Sequence, residues 1–236
     1  GSNIPYYLLK ADLVVAVEAN PKLCDIIKNK FKEEIINGSL VVENCVVQTD
    51  DKIDQVPFYI SKKLDVLSQY PKPLNIDKFE KVYLPAKDII SIINKHGYPF
   101  FIKIDVEKYD IEILEKLFSC NIIPPYISSE FQRVEVFSSL LIHGKYNSFK
   151  LVEGVDIPNR YKNYLINSEN NKIKYSFPEH SAGPFGNDIS GPWMTAQNFF
   201  YVIGLLGIGW RDIHATKIDI PDEKYRPKPN VNLSIE

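Results

Sequence analysis

Apolar and polar positions in this chain follow two rhythms. Short unbroken apolar runs recur, and most are followed by stretches whose apolar residues return every three or four positions. Leu13–Val17 reads L-V-V-A-V and ends at Glu18. An uninterrupted run of this kind fits a strand buried on both faces. Pro21 suits a first helical turn. Leu23, Ile26, Ile27 and Phe31 then repeat at helical spacing until Asn37-Gly38 stops them.

The same reading predicts further strands at Leu40–Val47, Val56–Ile60, Val82–Leu84, Phe100–Ile104, Tyr126–Ser129, Ser148–Val152 and Trp210–Lys217. Helices are expected over Ala86–Asn94, from Val106 to Leu117, over Val134–Ile142 and over Thr195–Leu206. The polar, proline-bearing stretch from Ser61 to Phe79 reads as a surface loop. Alternating strands and helices predict an α/β fold with a mostly parallel sheet. The pattern divides the chain into a core over 1–155, an irregular insertion or lid over 156–194, a helix and strand completing the core over 195–220, and a surface tail over 221–236.

Ligands of such sheets bind outside the carboxyl ends of the strands. Glu18, Asp105 and Glu130 each follow or close an apolar run. If those strands are parallel neighbours, the three acids share one crevice. Each taken singly also fits an acid favoured by a helix N-terminus, and that reading is strong for Glu107.

Composition narrows the classes. The chain has 236 residues, 28 basic and 30 acidic, for a net charge of −2. A dedicated nucleic-acid binder shows a basic excess, which is absent here. Cys24, Cys45 and Cys120 form no C-x-x-C pair; they read as small, half-buried apolar residues in a reducing, cytoplasmic protein. No run approaches the roughly 18 apolar residues of a membrane span. The G-x-G-x-x-G turn of nicotinamide and flavin enzymes is also missing.

The stretches V-V-A-V-E-A-N-P, F-I-K-I-D-V-E-K-Y-D-I-E-I-L and Y-I-S-S-E-F occur in an order and spacing that resemble the FkbM family of S-adenosylmethionine-dependent methyltransferases. H-S-A-G-P-F-G-N-D and W-R-D-I-H-A are similar to downstream segments of some bacterial members. The resemblance implies a Rossmann-like core of the class I methyltransferase type, with helices on both faces of the sheet. It also implies S-adenosylmethionine as cofactor and O-methylation of a sugar or similar small-molecule or glycan hydroxyl. On this resemblance Glu18 binds the cofactor ribose. Gly1, Asn3, Asn20 and Asp105 also belong to its pocket.

Three positions depart from the family pattern. Lys108 stands where K-x-D-x-E-G has glycine, Ala19 replaces the proline of E-P-N-P, and Pro5 occupies the second glycine of D-x-G-x-N-x-G. Gly1-Ser2 reads either as the start of that first motif, with its strand lying upstream of the given residues, or as a remnant of tag removal. A missing central strand would leave two open sheet edges and favour a homo-oligomer. A catalytically silent binding or assembly module is therefore an alternative. A nucleotide-sugar enzyme using a similar crevice is a third.

Methyl transfer from a sulfonium to a hydroxyl oxygen needs in-line positioning and a base for the hydroxyl proton. Asp105 is the first candidate, Glu130 the second, and His180, in the glycine-bearing lid, a third. Asp105 and Glu130 are also placed to hold magnesium, but no third ligand is clear, so no metal is expected. His96 and His143 read as helix-end caps, and His214 with Asp212 as a polar network at a sheet edge. Lys103 needs a buried partner, either Glu107 or a residue of a neighbouring strand. Tyr161, Tyr164, Tyr175, Phe177, Phe185 and Trp193 serve to pack the insertion, although sugar rings also stack on such side chains.

Overall fold

The computed structural model describes residues 1–64, 67–168 and 171–225. The first part of the chain forms α1 (Ile4–Leu8), β1 (Val14–Val17), α2 (Pro21–Lys30), α3 (Lys32–Ile36), β2 (Leu40–Glu43) and β3 (Val46–Gln48). Next come β4 (Gln55–Ser61), β5 (Phe79–Asp88), α4 (Ile89–His96), β6 (Phe101–Ile104), α5 (Asp110–Ser119), β7 (Tyr126–Glu130) and α6 (Val134–Ser138). The remainder is β8 (Ser148–Glu153), α7 (Ile157–Arg160), β9 (Tyr164–Ser168), β10 (Asn171–Tyr175), β11 (Met194–Thr195), α8 (Ala196–Leu206) and β12 (Arg211–Thr216).

The largest sheet has the order β11-β8-β12-β7-β6. β6 and β7 are parallel, and β12 runs antiparallel to both β7 and β8. β7 and β8 therefore point the same way. β1 pairs with β2 in parallel, β5 pairs in parallel with β3 and antiparallel with β4, and β9 and β10 form a hairpin. The architecture is mixed α/β. The expectation of a mostly parallel sheet is corrected by β12, the strand between β7 and β8.

Strand alternation gives the large sheet two different faces. Ile104, Ile127, Ile213, Ala215 and Phe149 point to one side, into the apolar cluster that contains Leu114 and Leu117 of α5, Phe137 of α6 and Phe199 of α8. The registers set two rows on the other side: Phe101, Tyr126, Thr216 and Ser148, then Lys103, Ser128, His214 and Lys150. Glu130, Asp212 and Val152 lie level with one another beyond them. This second face is far more polar, yet it too is covered. Tyr6 of α1, with Tyr161, Phe177, Phe185 and Trp193, packs against Tyr126 and Val152. Those aromatics of the insertion serve as packing.

Several boundaries differ from the sequence pattern. The run over Leu40–Val47 breaks at Asn44-Cys45 into β2 and β3, because Asn44 Nδ2 turns back to the carbonyls of Glu18 and Ala19 at 2.8 and 3.1 Å. The short strand expected over 82–84 is the ten-residue β5, whose partner β4 lies seven residues deep along it. α4 starts at Ile89 because the Asp88 carboxylate accepts the N–H groups of Ile90 and Ser91, a standard N-cap. The 156–194 segment is not irregular throughout, since it contains α7 and the β9–β10 hairpin. β12 lies inside the sheet, so the edge position expected for His214 is corrected.

Cys24 and Cys45 are buried and Cys120 is exposed, all as free thiols. No helix among the described residues is long and apolar enough to cross a membrane. Of the expected tail, Tyr225 and Glu223 accept from Asn198 Nδ2 at 3.0 and 3.1 Å; residues 226–236 lie outside the described residues. Among the described residues β1 pairs only with β2 and β6 only with β7, so each leaves one edge unpaired.

Candidate functional site

Because β6 and β7 are parallel neighbours, their ends deliver Asp105 and Glu130 to the same rim. Glu107 joins them from the turn into α5. One carboxylate oxygen from each of these three residues lies within 4.8 Å of the others. Gln132 Nε2 donates to Glu130 Oε2 at 2.6 Å and to Glu107 Oε2 at 3.3 Å. The Asp105 side chain is half exposed, whereas Glu130 is buried.

Like charges in a poorly solvated place disfavour full ionisation. Burial, then the charges of Asp105 and Glu107, push Glu130 up to about 8. Burial also raises Glu107. Behind the rim, Asp110 accepts from Ser129 Oγ at 3.2 Å and is pushed up to about 6 by burial and by Asp105. The cluster can store a proton near neutral pH. Its three oxygens are also of the kind that hard divalent cations take, and Glu107 supplies the third carboxylate oxygen that the sequence pattern did not make clear.

The counter-charge comes from Lys103. Its ammonium donates to Asp212 Oδ1 at 2.6 Å and lies 3.6 Å from Asp105 Oδ2. Burial disfavours that cation, but Asp212 and Asp105 outweigh burial and its pKa is raised. The partner is thus on β12, two strands away, and not Glu107.

The corner from β6 to α5 has an unusual backbone. Glu107 and Lys108 have φ of +49° and +74°. Only glycine adopts this left-handed region without steric cost. Lys108 therefore holds a conformation that glycine favours. Lys108→Gly is expected to raise stability by about 0.5–1 kcal/mol, since relief of the strain exceeds glycine's extra chain entropy. Urea unfolding at pH 7 reads this, and a loss of stability would refute it.

The other sequence candidates divide into two groups. Glu18 follows β1, and its Oε1 accepts from the Asn20 N–H at 2.8 Å. The Asn20 side chain caps α2 through the Lys22 N–H at 3.1 Å. Gly1 lies against Ile27 of α2, the helix that begins just after Glu18. Tyr7, on the same short N-terminal segment, is pushed up to about 12, chiefly by burial; Lys103, Asp212 and Asp105 all act on it. The segment from Gly1 to Tyr7 thus runs from the surroundings of Glu18 to those of Asp105. Asn3 is engaged with residues 181–183. His180, with φ of +59°, stacks over Trp210 at 6.2 Å and bonds neither Asp105 nor Glu130 among the described residues.

Sequence reasoning overlooked Gln132, Asp212 as partner of Lys103, and Tyr7. Gln132 carried a faint signal, two positions after Glu130. Nothing in the local pattern announced Tyr7, since its place depends on how α1 packs. Comparison with known protein families, curated proteins and solved structures finds no match.

Proposed function

We propose that this chain is an S-adenosylmethionine-dependent O-methyltransferase with a Rossmann-like core, acting on a hydroxyl of a carbohydrate or related small molecule. The observation that carries the reading is the pair Asp105 and Glu130 at the carboxyl ends of adjacent parallel strands. Two further features support it. The reversed β12 lies between β7 and β8, which run alike, and Lys108 keeps a backbone suited to the motif glycine.

In this reading the cofactor supplies an activated methyl group. The chain's own residues bind, orient and move a proton. Glu18 accepts hydrogen bonds from the ribose hydroxyls. Glu130 takes the acceptor's hydroxyl proton as that oxygen forms its bond to the methyl carbon. Its titration near neutral pH suits a group that must both take and release a proton. Asp105, held by Lys103, orients the acceptor or the cofactor's amine.

The reading is tested by calorimetry with millimolar S-adenosylmethionine. Binding is expected, and Glu18→Ala should weaken it about 10- to 100-fold, the range for losing charge-assisted hydrogen bonds. Absence of heat with the folded protein, or unchanged affinity in the variant, would refute the respective assignment.

One observation favours a second reading, a catalytically silent assembly module. The hollow lined by Lys108, Asp110, Glu130, Gln132 and Arg133 measures about 10 Å³, far below the roughly 300 Å³ at which small-molecule pockets begin. A larger hollow of about 290 Å³ is lined by Lys28, Lys32, Ile35, Ile36 and Val42 and by none of the acids. With the edges of β1 and β6 left unpaired among the described residues, this favours a chain that binds through strand addition. Light scattering that finds a stable oligomer, together with silent calorimetry, would select it.

A further inference from the structure

The side chain of Asn3 has two acceptor sites and two donor hydrogens, and all four are used. Its Oδ1 accepts from Ser181 Oγ at 2.5 Å and from the Ala182 N–H at 3.0 Å. Its Nδ2 donates to the Gly183 carbonyl at 2.8 Å and to the Tyr7 hydroxyl at 3.0 Å. The loop coils tightly around it: Gly183 has φ of +71°, and its N–H returns to Ser181 Oγ at 3.0 Å. No other side chain of similar size reproduces this set. Aspartate keeps the acceptors but loses both donors, and alanine loses all four.

A second anchor lies a few residues further on. Asp188, almost completely buried, accepts from Tyr6 Oη and from Lys10 Nζ, both at 2.9 Å. It also accepts from the Asn167 N–H at 2.9 Å and Nδ2 at 2.7 Å. The Tyr6 hydroxyl takes the Phe185 N–H at 3.2 Å. Between the two anchors Phe185 descends onto the sheet and stacks on Phe101, with ring centroids 4.2 Å apart and planes 5° apart. Immediately beyond, the Ile189 carbonyl accepts from Lys150 Nζ at 2.8 Å.

We propose that Asn3 and Asp188 form a two-point clasp that locks the strap Ser181–Asp188 onto residues 3–10, so that the polar face of the large sheet is reached from this side only when both points release. The strap is thus not a lid on its own hinge. Its closed position is set by the N-terminal segment, and the residue expected in a cofactor pocket, Asn3, serves as the pin. Buried polar groups that are fully paired fix one arrangement, and releasing one anchor leaves several donors and acceptors without partners.

Hydrogen exchange by mass spectrometry on the full chain tests this. Asn3→Ala should speed exchange of the amides over 181–188 about 10- to 100-fold, while amides of α5 stay at the wild-type rate. Asn3→Asp, which keeps two of the four bonds, should fall between. Asp188→Asn should loosen the same amides, because the new amide cannot accept from Lys10 as an anion does. Acetylation of Lys150 by acetic anhydride gives an independent readout. Lys150 is buried and its Nζ is held by the Ile189 carbonyl, so reagent reaches it only when the strap lifts, and its labelling should accelerate in step with strap exchange. Unchanged exchange over 181–188 in Asn3→Ala overturns the proposal. If Asn3→Ala instead accelerates exchange everywhere, α5 included, Asn3→Asp decides: wild-type exchange of the strap there also overturns it.

Discussion

Glu130→Gln raises the melting temperature at pH 9 by about 8–16 °C and changes it little at pH 4.5, given the usual sensitivity of a chain of this length. The argument is one of linkage. The Glu130 carboxyl titrates at about 8 in the folded protein and at about 4.3 when unfolded. A raised folded pKa means that the folded state binds the proton more tightly. Stability from this group is therefore fully present below about pH 4 and is lost as pH rises through 8, an effect on the order of 4 kcal/mol. Glutamine removes the titration. It can still accept from Gln132, so the packing of the rim survives. Comparing variant with wild type at each pH cancels the other titrations. Those include Lys150, whose lowered pKa returns stability above pH 8, and His214. Burial, then Lys103 and Lys150, lower His214 well below its ordinary value, so its contribution is lost as pH falls below about 6.5. Thermal unfolding by circular dichroism from pH 4.5 to 9 is the measurement. Equal melting temperatures at pH 9 would show that ionising Glu130 costs the fold little and that the rim is better solvated, or better compensated, than its geometry implies.

The acids were legible before the fold was known, because an apolar run closed by a carboxylate is a local pattern. Asp105 and Glu130 needed only parallel neighbours to meet. Glu107 was legible as a residue but was assigned to the helix N-terminus, since its approach to Glu130 depends on a left-handed corner that a lysine does not advertise. Most strands and helices were visible from periodicity, but α1, α7, β11 and the paired strands β9 and β10 were not. The reversal of β12 was not, because a strand's direction is a property of its connections and its pattern reads alike both ways. Asn3 shows the reverse failure. Its motif context pointed to a ligand, while its amide is consumed by a loop about 180 residues away in sequence. Long-range pairing of this kind leaves no trace in spacing. His214 was placed correctly on a face with Asp212 but at the wrong depth, for an edge strand and an inner strand have the same alternation.

Lys103→Met costs about 3–5 kcal/mol of stability, the usual price of leaving one member of a buried ion pair behind. Asp212 is buried beside Glu130 on the neighbouring strand, and without the ammonium 2.6 Å away it faces only like charge. Two responses are open to it, protonation or entry of water, and both disturb the rim. The double variant Lys103→Met/Asp212→Leu should recover to within about 1–2 kcal/mol of wild type, because a packed apolar pair replaces a buried ionic one with little net loss. The double-mutant cycle then gives a coupling well above 1 kcal/mol, measured by urea unfolding at pH 7. Additive single effects would mean that Lys103 stabilises through its aliphatic stem alone. The same variant tests the electrostatics of the rim. Lys103 is the cation that opposes the rise of Glu130's pKa, so carboxyl carbon chemical shifts should place the Glu130 titration higher in Lys103→Met than in wild type. Lys103, on an otherwise apolar strand, thus offsets part of the negative charge that Asp212 and Glu130 bring to the strand ends.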